Sequence, residues 1–511
     1  MLKTNKTLFA TTIVASALLT ACGGSTSKND TTKNTGKNTE AATSEQTVAC
    51  TDMLPANVAG LLTPGSSCGY LTVPEKHAVY GQPASDKTIQ IAVVKLASTS
   101  ADKKTDPVVF LQGGPGGNAT ASIGDVLSSG TFIKQRDVYF VDQRGTGYSK
   151  PALYCTEYNG EAGTPAQVKS CKERLEKSGV NLDAYHSLHN AKDFIMLFET
   201  FDVDQWNLFG TSYGTRLATT IMRENSAGIR SVILDGMFPI EVNGMSDTPW
   251  ANYETLNQIV KNCENSTNCT ADDLKATVED IISRMHNANM IAESRFFIQN
   301  LLGLAMSPAI LNYISTVNND INQYATALEK LMAEGGESEG AEGEEGAEAE
   351  GEEDIFYNAM GLSTVCAEEY PFLNTTALTD LNDQGWSAAT RIAVGGMHHM
   401  GFDKASCEAW DVAPANEVEV QAITSNLPVL ILNGQNDSQT PAAWGELVAE
   451  NMSMAQNVTN PQGGHGQLLL GNTCFENITR AFLVEPNQDV DTSCVAEIPD
   501  VTFVGNNTGA K

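Results

Sequence analysis

The stretch WNLFGTSYGT, residues 206–215, decides the fold of this chain. Its first four residues form a short run that is nearly continuous in apolar residues, which is typical of a buried parallel strand, and G-T-S-Y-G follows directly. A G-x-S-x-G motif between a strand and a helix forms a nucleophile elbow, in which small residues two positions before and after the serine allow a tight, strained turn. A helix predicted from near Thr215 completes this context. We therefore predict that Ser212 is a catalytic nucleophile.

Apolar runs on both sides of this stretch predict the rest of a sheet. Two early runs, residues 70–73 and 89–94, predict opening strands at an antiparallel edge. Helical spacing in residues 191–201 and 216–225 predicts helices on both faces of the sheet. The sequence therefore predicts an α/β fold with a mostly parallel, doubly wound sheet. The other predicted strands are short, nearly continuous in apolar residues, and followed by Gly, Asp or Asn: 108–111, 138–141, 231–234 and 429–432.

The strand pattern disappears between residues 239 and 417. Helical periodicity in residues 250–333 predicts a mainly helical cap, inserted between a first core segment (48–238) and a second one (418–511). Within it, residues 334–354 hold eleven acids, six glycines and no Lys or Arg. Self-repulsion and glycine content predict a disordered, solvated loop there. Metal binding is the alternative, but this run lacks the spacing of an EF-hand.

A serine nucleophile needs a base and an acid that orients the base. Asp437 follows the apolar run 429–432, and His465 lies farther on in a Gly-Gly-His-Gly loop. The resulting order Ser-Asp-His is the one expected on such a sheet. Asp235 also ends a predicted strand and is the rival acid, but it comes only 23 residues after Ser212. We predict Asp437 and His465 as the partners of the serine, and a structural or cap-hinge role for Asp235.

A tetrahedral intermediate needs two backbone N–H donors for its oxyanion. The residue after the nucleophile, Tyr213, is one predicted donor. Residues 112–117, QGGPGG, follow a predicted strand and supply the other through Gly114 or Gly113, since glycines let the backbone approach the substrate oxygen. The competing interpretation is a phosphate-binding loop, which the absence of a following Lys-Ser/Thr pair disfavours.

The first residues predict export. Two lysines precede an apolar stretch, residues 8–19, that is too short to span a bilayer and is typical of a cleaved signal. Residues 1–22 end in Leu-Thr-Ala-Cys, which resembles a bacterial lipobox, so we predict lipidation of Cys22; a plain signal peptide with a coincidental cysteine is the alternative. Residues 23–47 have almost no large apolar residues and predict a flexible tether. Gly23 favours anchoring in the outer membrane, facing the periplasm or the cell surface.

The remaining ten cysteines are an even number, which favours disulfides in an exported chain. Sequence does not fix their connectivity, but pairing consecutive cysteines closes five short-to-moderate loops. The chain has no C-x-x-C pair and no H-E-x-x-H motif, so we expect no zinc site. The predicted disulfides are Cys50–Cys68, Cys155–Cys171, Cys263–Cys269, Cys366–Cys407 and Cys474–Cys494.

The net charge argues against some classes of binding partner. The chain has 31 Lys and Arg against 62 Asp and Glu, a formal net charge of −31. Such a chain has no general attraction for nucleic acid or anionic lipid. We expect no nucleic-acid partner and contact with a membrane only through the N-terminal lipid.

Six motifs together resemble the α/β-hydrolase family of proline iminopeptidases and tripeptidyl aminopeptidases. The resemblance covers nearly all of residues 50–500, and the late block with its paired cysteines is similar to the C-terminal region of secreted tripeptidyl aminopeptidase-like hydrolases. One departure is Gln112, where proline iminopeptidases usually have His; this implies tuning rather than loss of activity. The motifs are QGGPGG (112–117), DQRGTGYS (142–149), GTSYG (210–214), LDG (234–236), GQND (434–437) and GGHG (463–466).

The resemblance implies the α/β-hydrolase fold and an aminopeptidase that cleaves short peptides near a free N-terminus, releasing proline, another single residue, or a tripeptide. It implies cap carboxylates for the substrate ammonium, for which Glu368 and Glu369 are the candidates; the alternative is that they are solvated surface acids. Arg144 is expected to anchor a turn rather than to bind substrate. We expect a monomer acting on peptides, with no metal or organic cofactor.

Two other functions stay open. A carboxylesterase or lipase-like hydrolase would use the same triad, because nothing near Ser212 separates esters from amides. A non-catalytic binding lipoprotein on the same scaffold is the alternative of a different class.

Overall fold

The computed structural model describes residues 45–158, 163–266, 269–333, 356–374, 385–395, 402–468 and 471–503. The predicted export signal with Cys22, the tether up to residue 44, and the acidic loop 334–354 lie outside these residues.

Nine strands within the described residues form one sheet, in the order β1-β2-β3-β5-β4-β6-β7-β8-β9. The pairs from β1 to β5 along this order are antiparallel. All later pairs are parallel. The predicted mostly parallel sheet with an antiparallel edge is therefore confirmed. The strands are β1 (Glu45–Val48), β2 (Ser67–Pro74), β3 (Thr88–Leu96), β4 (Val108–Leu111), β5 (Val138–Val141), β6 (Trp206–Thr211), β7 (Ile229–Asp235), β8 (Val429–Gly434) and β9 (Ala455–Asn460).

Helices connect these strands on both faces of the sheet. The helix after the serine begins at Tyr213, earlier than predicted, because the turn at Ser212 leads into it directly. The α-helices of the described residues are α1 (Cys50–Met53), α2 (Ala56–Ala59), α3 (Ile123–Ser129), α4 (Pro165–Lys177), α5 (Ser187–Thr200), α6 (Tyr213–Glu224), α7 (Gly244–Glu264), α8 (Ala271–Asn287), α9 (Ile291–Gly303), α10 (Ile310–Asn319), α11 (Ile321–Ala333), α12 (Asn358–Glu368), α13 (Ala388–Gly395), α14 (Lys404–Trp410), α15 (Ala442–Ala449) and α16 (Thr473–Val484).

The central strands are buried on both faces, which explains their continuous apolar runs. Along β4, Val109 packs into one hydrophobic cluster, while Val108 and Phe110 pack into the cluster on the opposite face. This alternation follows from the two-residue period of a strand.

The two edge strands were not predicted. Strand β1 takes residues 45–47 out of the predicted tether, so the tether prediction is wrong at its end. These residues pair antiparallel with β2, and the Cys50–Cys68 disulfide ties the two segments together. Strand β9 is polar along most of its length, AQNVTN, and within the described residues it pairs with β8 alone.

The region predicted as one cap packs in two parts. Helices α7 to α10 and α13 share a hydrophobic core of their own, which Val501 and Phe503 from the C-terminal segment also enter. Helices α12 and α14 instead pack into the core of the sheet. All eleven residues of α12 are buried, as expected for a helix that is enclosed on every side. The boundaries 239–417 and 418–511 therefore do not coincide with the packing units.

The structure joins the same five cysteine pairs that the sequence predicts. Their Cα–Cα distances are 5.1, 5.3, 5.3, 5.1 and 5.8 Å, which is within the usual range for disulfides. Five disulfides support export to an oxidising compartment. No helix among the described residues combines the length and apolar character needed to cross a membrane.

Candidate active site

The carboxyl ends of the parallel strands bring the predicted catalytic segments to one edge of the sheet. Leu111 lies opposite Gly210, and Thr211 lies opposite Asp235. Asp235 in turn lies opposite Leu432 on β8. The oxyanion loop, the serine turn and the segment with the acid therefore begin side by side. This edge is where ligands bind in open α/β sheets.

Ser212 occupies a strained turn between β6 and α6. Its backbone has φ 54° and ψ −127°, a conformation that non-glycine residues rarely adopt. A Cβ atom at Gly214 would collide with the carbonyl oxygen of Leu111, and one at Gly210 would collide with the carbonyl oxygen of Gly214. The two glycines of the motif are thus required by close backbone approach. The N–H of Ser212 donates to the carbonyl of Asp235 at 2.9 Å.

Asp437, and not the rival Asp235, contacts the imidazole of His465. The Nδ1 of His465 lies 2.8 Å from Oδ2 of Asp437. Thr440 donates its hydroxyl to the same oxygen at 2.7 Å, and the N–H groups of Gln439 and Thr440 donate to Oδ1 at 2.8 and 3.0 Å. Burial favours the neutral acid, but the adjacent imidazole and these donors hold the pKa of Asp437 below its usual value.

The environment of His465 favours its charged form. Burial lowers the pKa of the imidazole, but the charge of Asp437, the hydrogen bond to it, and the charge of Asp235 outweigh burial and raise that pKa. The side chain of His465 stays 24% exposed, so a substrate can approach it. A base held in this way can accept a proton from the serine and stabilise the resulting imidazolium.

The predicted oxyanion loop lies directly against Ser212. A Cβ atom at Gly113 would come within 2.8 Å of the Cβ of Ser212, so only glycine fits there. The N–H of Gly113, however, donates to the side-chain Oε1 of Gln112 at 2.8 Å. This hydrogen bond leaves Gly114 as the better of the two predicted donors. Tyr213 is the first residue of α6, so its N–H has no acceptor within the helix.

The DQRG segment, residues 142–145, is hydrogen-bonded to the predicted oxyanion loop. Gln143 donates to the carbonyl of Gln112 at 2.7 Å. The neighbouring Arg144 is fully buried and donates from Nε and Nη2 to the two carboxylate oxygens of Asp193, at 2.8 and 2.6 Å. It also donates to the carbonyl of Ala184 at 2.6 Å. These contacts give Arg144 the anchoring role expected for it, with no exposed face for a substrate.

Glu368 does not have the surroundings predicted for an ammonium-binding carboxylate. It is only 4% exposed, and its Oε1 accepts the N–H of Ser187 at 2.6 Å. Its Oε2 accepts Nε of the buried Arg216 at 3.1 Å. Because the side chain is buried and each oxygen already has a protein donor, these contacts disfavour the ammonium-binding role, which stays a prediction for Glu368. Glu368 instead forms a buried ion pair with Arg216 of α6, the helix that follows Ser212.

Glu369 is likewise buried, at 2% exposure, rather than open to a substrate. Its Oε2 accepts the N–H of Met245 at 3.1 Å. Burial raises its pKa to about 7, and the charge of Glu368 adds to this, although Arg216 opposes it. A carboxyl in this position is partly protonated near neutral pH, which also disfavours the predicted ammonium binding.

Glu369→Gln is expected to stabilise the protein at pH 8 by about 3 kcal/mol. The folded pKa, about 7, exceeds the ordinary 4.5, so the acid stabilises the fold fully only below pH 4.5 and loses that contribution as the pH rises through 7. The gain should therefore grow between pH 4.5 and 7 and vanish below that window. Urea unfolding at pH 5 and pH 8 measures it. The exposed Glu417→Gln is the control, and equal gains at both pH values would contradict the expectation.

Residues of the inserted region cover the site from two sides. A Cβ atom at Gly114 would lie 3.2 Å from the ring of Phe356, and one at Gly464 would lie 2.6 Å from the Cε of Met306. Tyr357 donates its N–H to the carbonyl of Gly116 at 3.0 Å. The sequence does not predict these contacts, because nothing in the sequence around Met306, Phe356 or Tyr357 indicates that they lie against the sheet.

Thr440 was also missed as a member of the site. A signal for it was present, because Asp437 and Thr440 are three residues apart and short acids commonly accept from the backbone just after them.

One cluster in the described part of the chain has the spacing of metal ligands, formed by Cys155, Glu157 and Cys171. Its two cysteines are joined in a disulfide, so their sulfurs are not thiolate ligands.

Comparison with known families and proteins agrees with this geometry. Residues 106–278 match the family model described as alpha/beta hydrolase fold, and residues 397–494 match the one described as TAP-like protein.

Three curated relatives are informative. Serine protease Hip1 of Mycobacterium tuberculosis is 23% identical, over 82% of this chain and 85% of its own length. Tripeptidyl aminopeptidase of Streptomyces coelicolor is 27% identical, over 36% of each chain. Proline iminopeptidase of Neisseria meningitidis is 24% identical, over 36% of this chain and 43% of its own.

Proposed function

Because this chain belongs to the α/β-hydrolase family of serine peptidases, we propose that it is an aminopeptidase that hydrolyses short peptides through an acyl-enzyme on Ser212. The observation that carries the proposal is the 2.8 Å contact of His465 with Asp437, at the sheet edge that holds the strained turn of Ser212.

The mechanism follows from the roles of these groups. His465 takes the proton of the Ser212 hydroxyl as its oxygen attacks the scissile carbonyl, and the carbonyl oxygen becomes an oxyanion held by the N–H groups of Tyr213 and Gly114. The C–N bond then breaks as His465 gives that proton to the leaving amine. Water, activated by the same imidazole, then hydrolyses the acyl-serine ester, which releases the acyl part of the substrate as a carboxylic acid and restores Ser212. Asp437 orients the imidazole and stabilises its charged form throughout.

The covering of the site supports cleavage near a chain end. Phe356 lies over the oxyanion loop, and Met306 lies against the loop that carries His465. Side chains this close to the two loops restrict the space around the reacting atoms, which favours a short terminal segment over the middle of a folded substrate. Two of the relatives are named for aminopeptidase and iminopeptidase activity, which favours the N-terminal end.

A panel of chromogenic anilides tests the substrate class: proline, alanine, a free Ala-Ala-Pro tripeptide, its N-acetylated form, and an acyl ester. We expect the free tripeptide or a free single residue to exceed the N-acetylated tripeptide at least tenfold in kcat/KM, because the activities for which two of the relatives are named need a free N-terminus, which acetylation removes. Equal cleavage of free and blocked peptides would reject the aminopeptidase specificity. Preference for the ester over every anilide would favour a carboxylesterase instead.

We further propose that the protein is exported and anchored by a lipid on Cys22, and that it acts as a monomer without a cofactor. The five disulfides support the exported location. The resemblance of residues 19–22 to a lipobox supports the anchor.

A further inference from the structure

Asp235 connects the two halves of the proposed catalytic site. It is fully buried at the end of β7, between the strand of the serine and the strand that leads to Asp437. Its backbone carbonyl accepts the N–H of Ser212 at 2.9 Å. Its carboxylate accepts the N–H groups of Gln467 at 2.7 Å and of Leu468 at 2.8 Å, just beyond the catalytic histidine.

We propose that Asp235 is a positioning residue, which fixes the loop of His465 at a set distance from the turn of Ser212. The proposal rests on the proposed function, because it assigns Asp235 a part in the same reaction.

The loop has two anchors, with His465 between them. On one side, the carbonyl of Gly463 accepts the N–H of Asn436 at 2.9 Å, and the carbonyl of Gly464 accepts the side chain of Gln467 at 2.7 Å. On the other side, Asp235 provides the two carboxylate hydrogen bonds. Glycines around His465 would otherwise leave this loop free to move. Without the second anchor, the imidazole could shift relative to the serine.

The charge of Asp235 also acts on the imidazole. A Cβ atom on the neighbouring Gly236 would lie 3.3 Å from the ring of His465, so the end of β7 packs directly against the base. The ionisable groups that influence His465 there are Asp437 and Asp235, and both carboxylates raise its pKa. Burial raises the pKa of Asp235 itself to about 6, so it is mostly ionised at pH 8.

The test is Asp235→Asn, which keeps the volume but removes the charge and turns an NH₂ group towards one of the two loop N–H groups. We expect kcat for the best anilide to fall about 100-fold with KM within threefold of wild type, because a displacement of about 1 Å in a catalytic group has an effect of this size. The acidic limb of the kcat/KM–pH profile should move to lower pH, because the imidazole loses a stabilising negative charge. A purely structural aspartate would not move this limb.

The matched control is Asp137→Asn, which removes a carboxylate that accepts the N–H of Ser98 at 2.9 Å and forms ion pairs at the start of β5. It should leave kcat and the pH profile unchanged. A folded Asp235→Asn protein with wild-type kcat and an unmoved limb would overturn the proposal.

A second variant tests the loop independently of the charge. Gln467→Leu removes the other anchor, the side-chain hydrogen bond to the carbonyl of Gly464, and retains the charge of Asp235 and its hydrogen bonds to the backbone. The positioning role requires kcat to depend on how the loop is held, so kcat should fall while the limb stays in place; a wild-type kcat would count against the positioning role, even if Asp235→Asn failed to fold. Labelling of Ser212 by a fluorophosphonate distinguishes a failure of the proposed function from a failure of the positioning role. Absence of labelling in the wild-type protein would reject the proposed function itself, whereas normal labelling with an unaffected Asp235→Asn variant would reject only the positioning role.

Discussion

Ser212→Ala is expected to lower kcat on the best anilide by about a millionfold. The reason is that the acyl-enzyme needs the serine oxygen, and the strained turn presents no other nucleophile at the same place. Fold and stability should change little, because the backbone conformation is set by Gly210 and Gly214 and by the N–H of Ser212, which donates to Asp235. KM should remain close to the wild-type value.

Steady-state kinetics together with fluorophosphonate labelling measure this loss. Ser170→Ala is the matched control, because Ser170 is exposed on α4 and its hydroxyl donates to the carbonyl of Ala166 in its own helix. The control should be labelled and active like the wild type. Retention of more than a tenth of the anilide activity in Ser212→Ala would sink the acyl-enzyme mechanism.

The central strands were predictable because a strand that is buried on both faces is apolar at nearly every position. Runs such as VVFL in β4 and VYFV in β5 are apolar at every position, since each strand feeds two hydrophobic clusters. The edge strands have no such pattern. Strand β9 is held by its backbone pairing with β8, and its polar side chains look like those of a loop.

In the site, too, some features were predictable from local sequence and others depend on contacts between distant parts of the chain. The positions of Ser212, Asp437 and His465 follow from short motifs placed at strand ends. The partners of Glu368 do not, because Arg216 lies 152 residues earlier in the chain and only folding brings them together. An acid beside a cysteine in an acidic protein gives no indication of a buried counter-ion. The buried ion pair of Glu368 with Arg216 was therefore not predictable from the sequence.

The second large effect concerns the acid that orients the base. Asp437→Asn is expected to lower kcat about 10⁴-fold, because an amide cannot hold the imidazole in the required tautomer or stabilise its charge. The isosteric side chain can still accept the N–H groups of Gln439 and Thr440, so the turn should persist. Thermal unfolding of the variant should therefore remain close to that of the wild type.

The pH profile distinguishes this role from simple packing. The base works only when neutral, and its pKa is raised above the ordinary 6.5, so wild-type kcat/KM should fall as the pH drops through a value above 6.5. In Asp437→Asn the strongest influence that raises this pKa is lost while burial of the ring remains, so the limb should move to lower pH. Asp235→Asn should move it in the same direction with a much smaller loss of kcat. If instead Asp235→Asn lost 10⁴-fold and Asp437→Asn less than tenfold, the acid of the triad would be Asp235, despite the 2.8 Å contact between Asp437 and the imidazole.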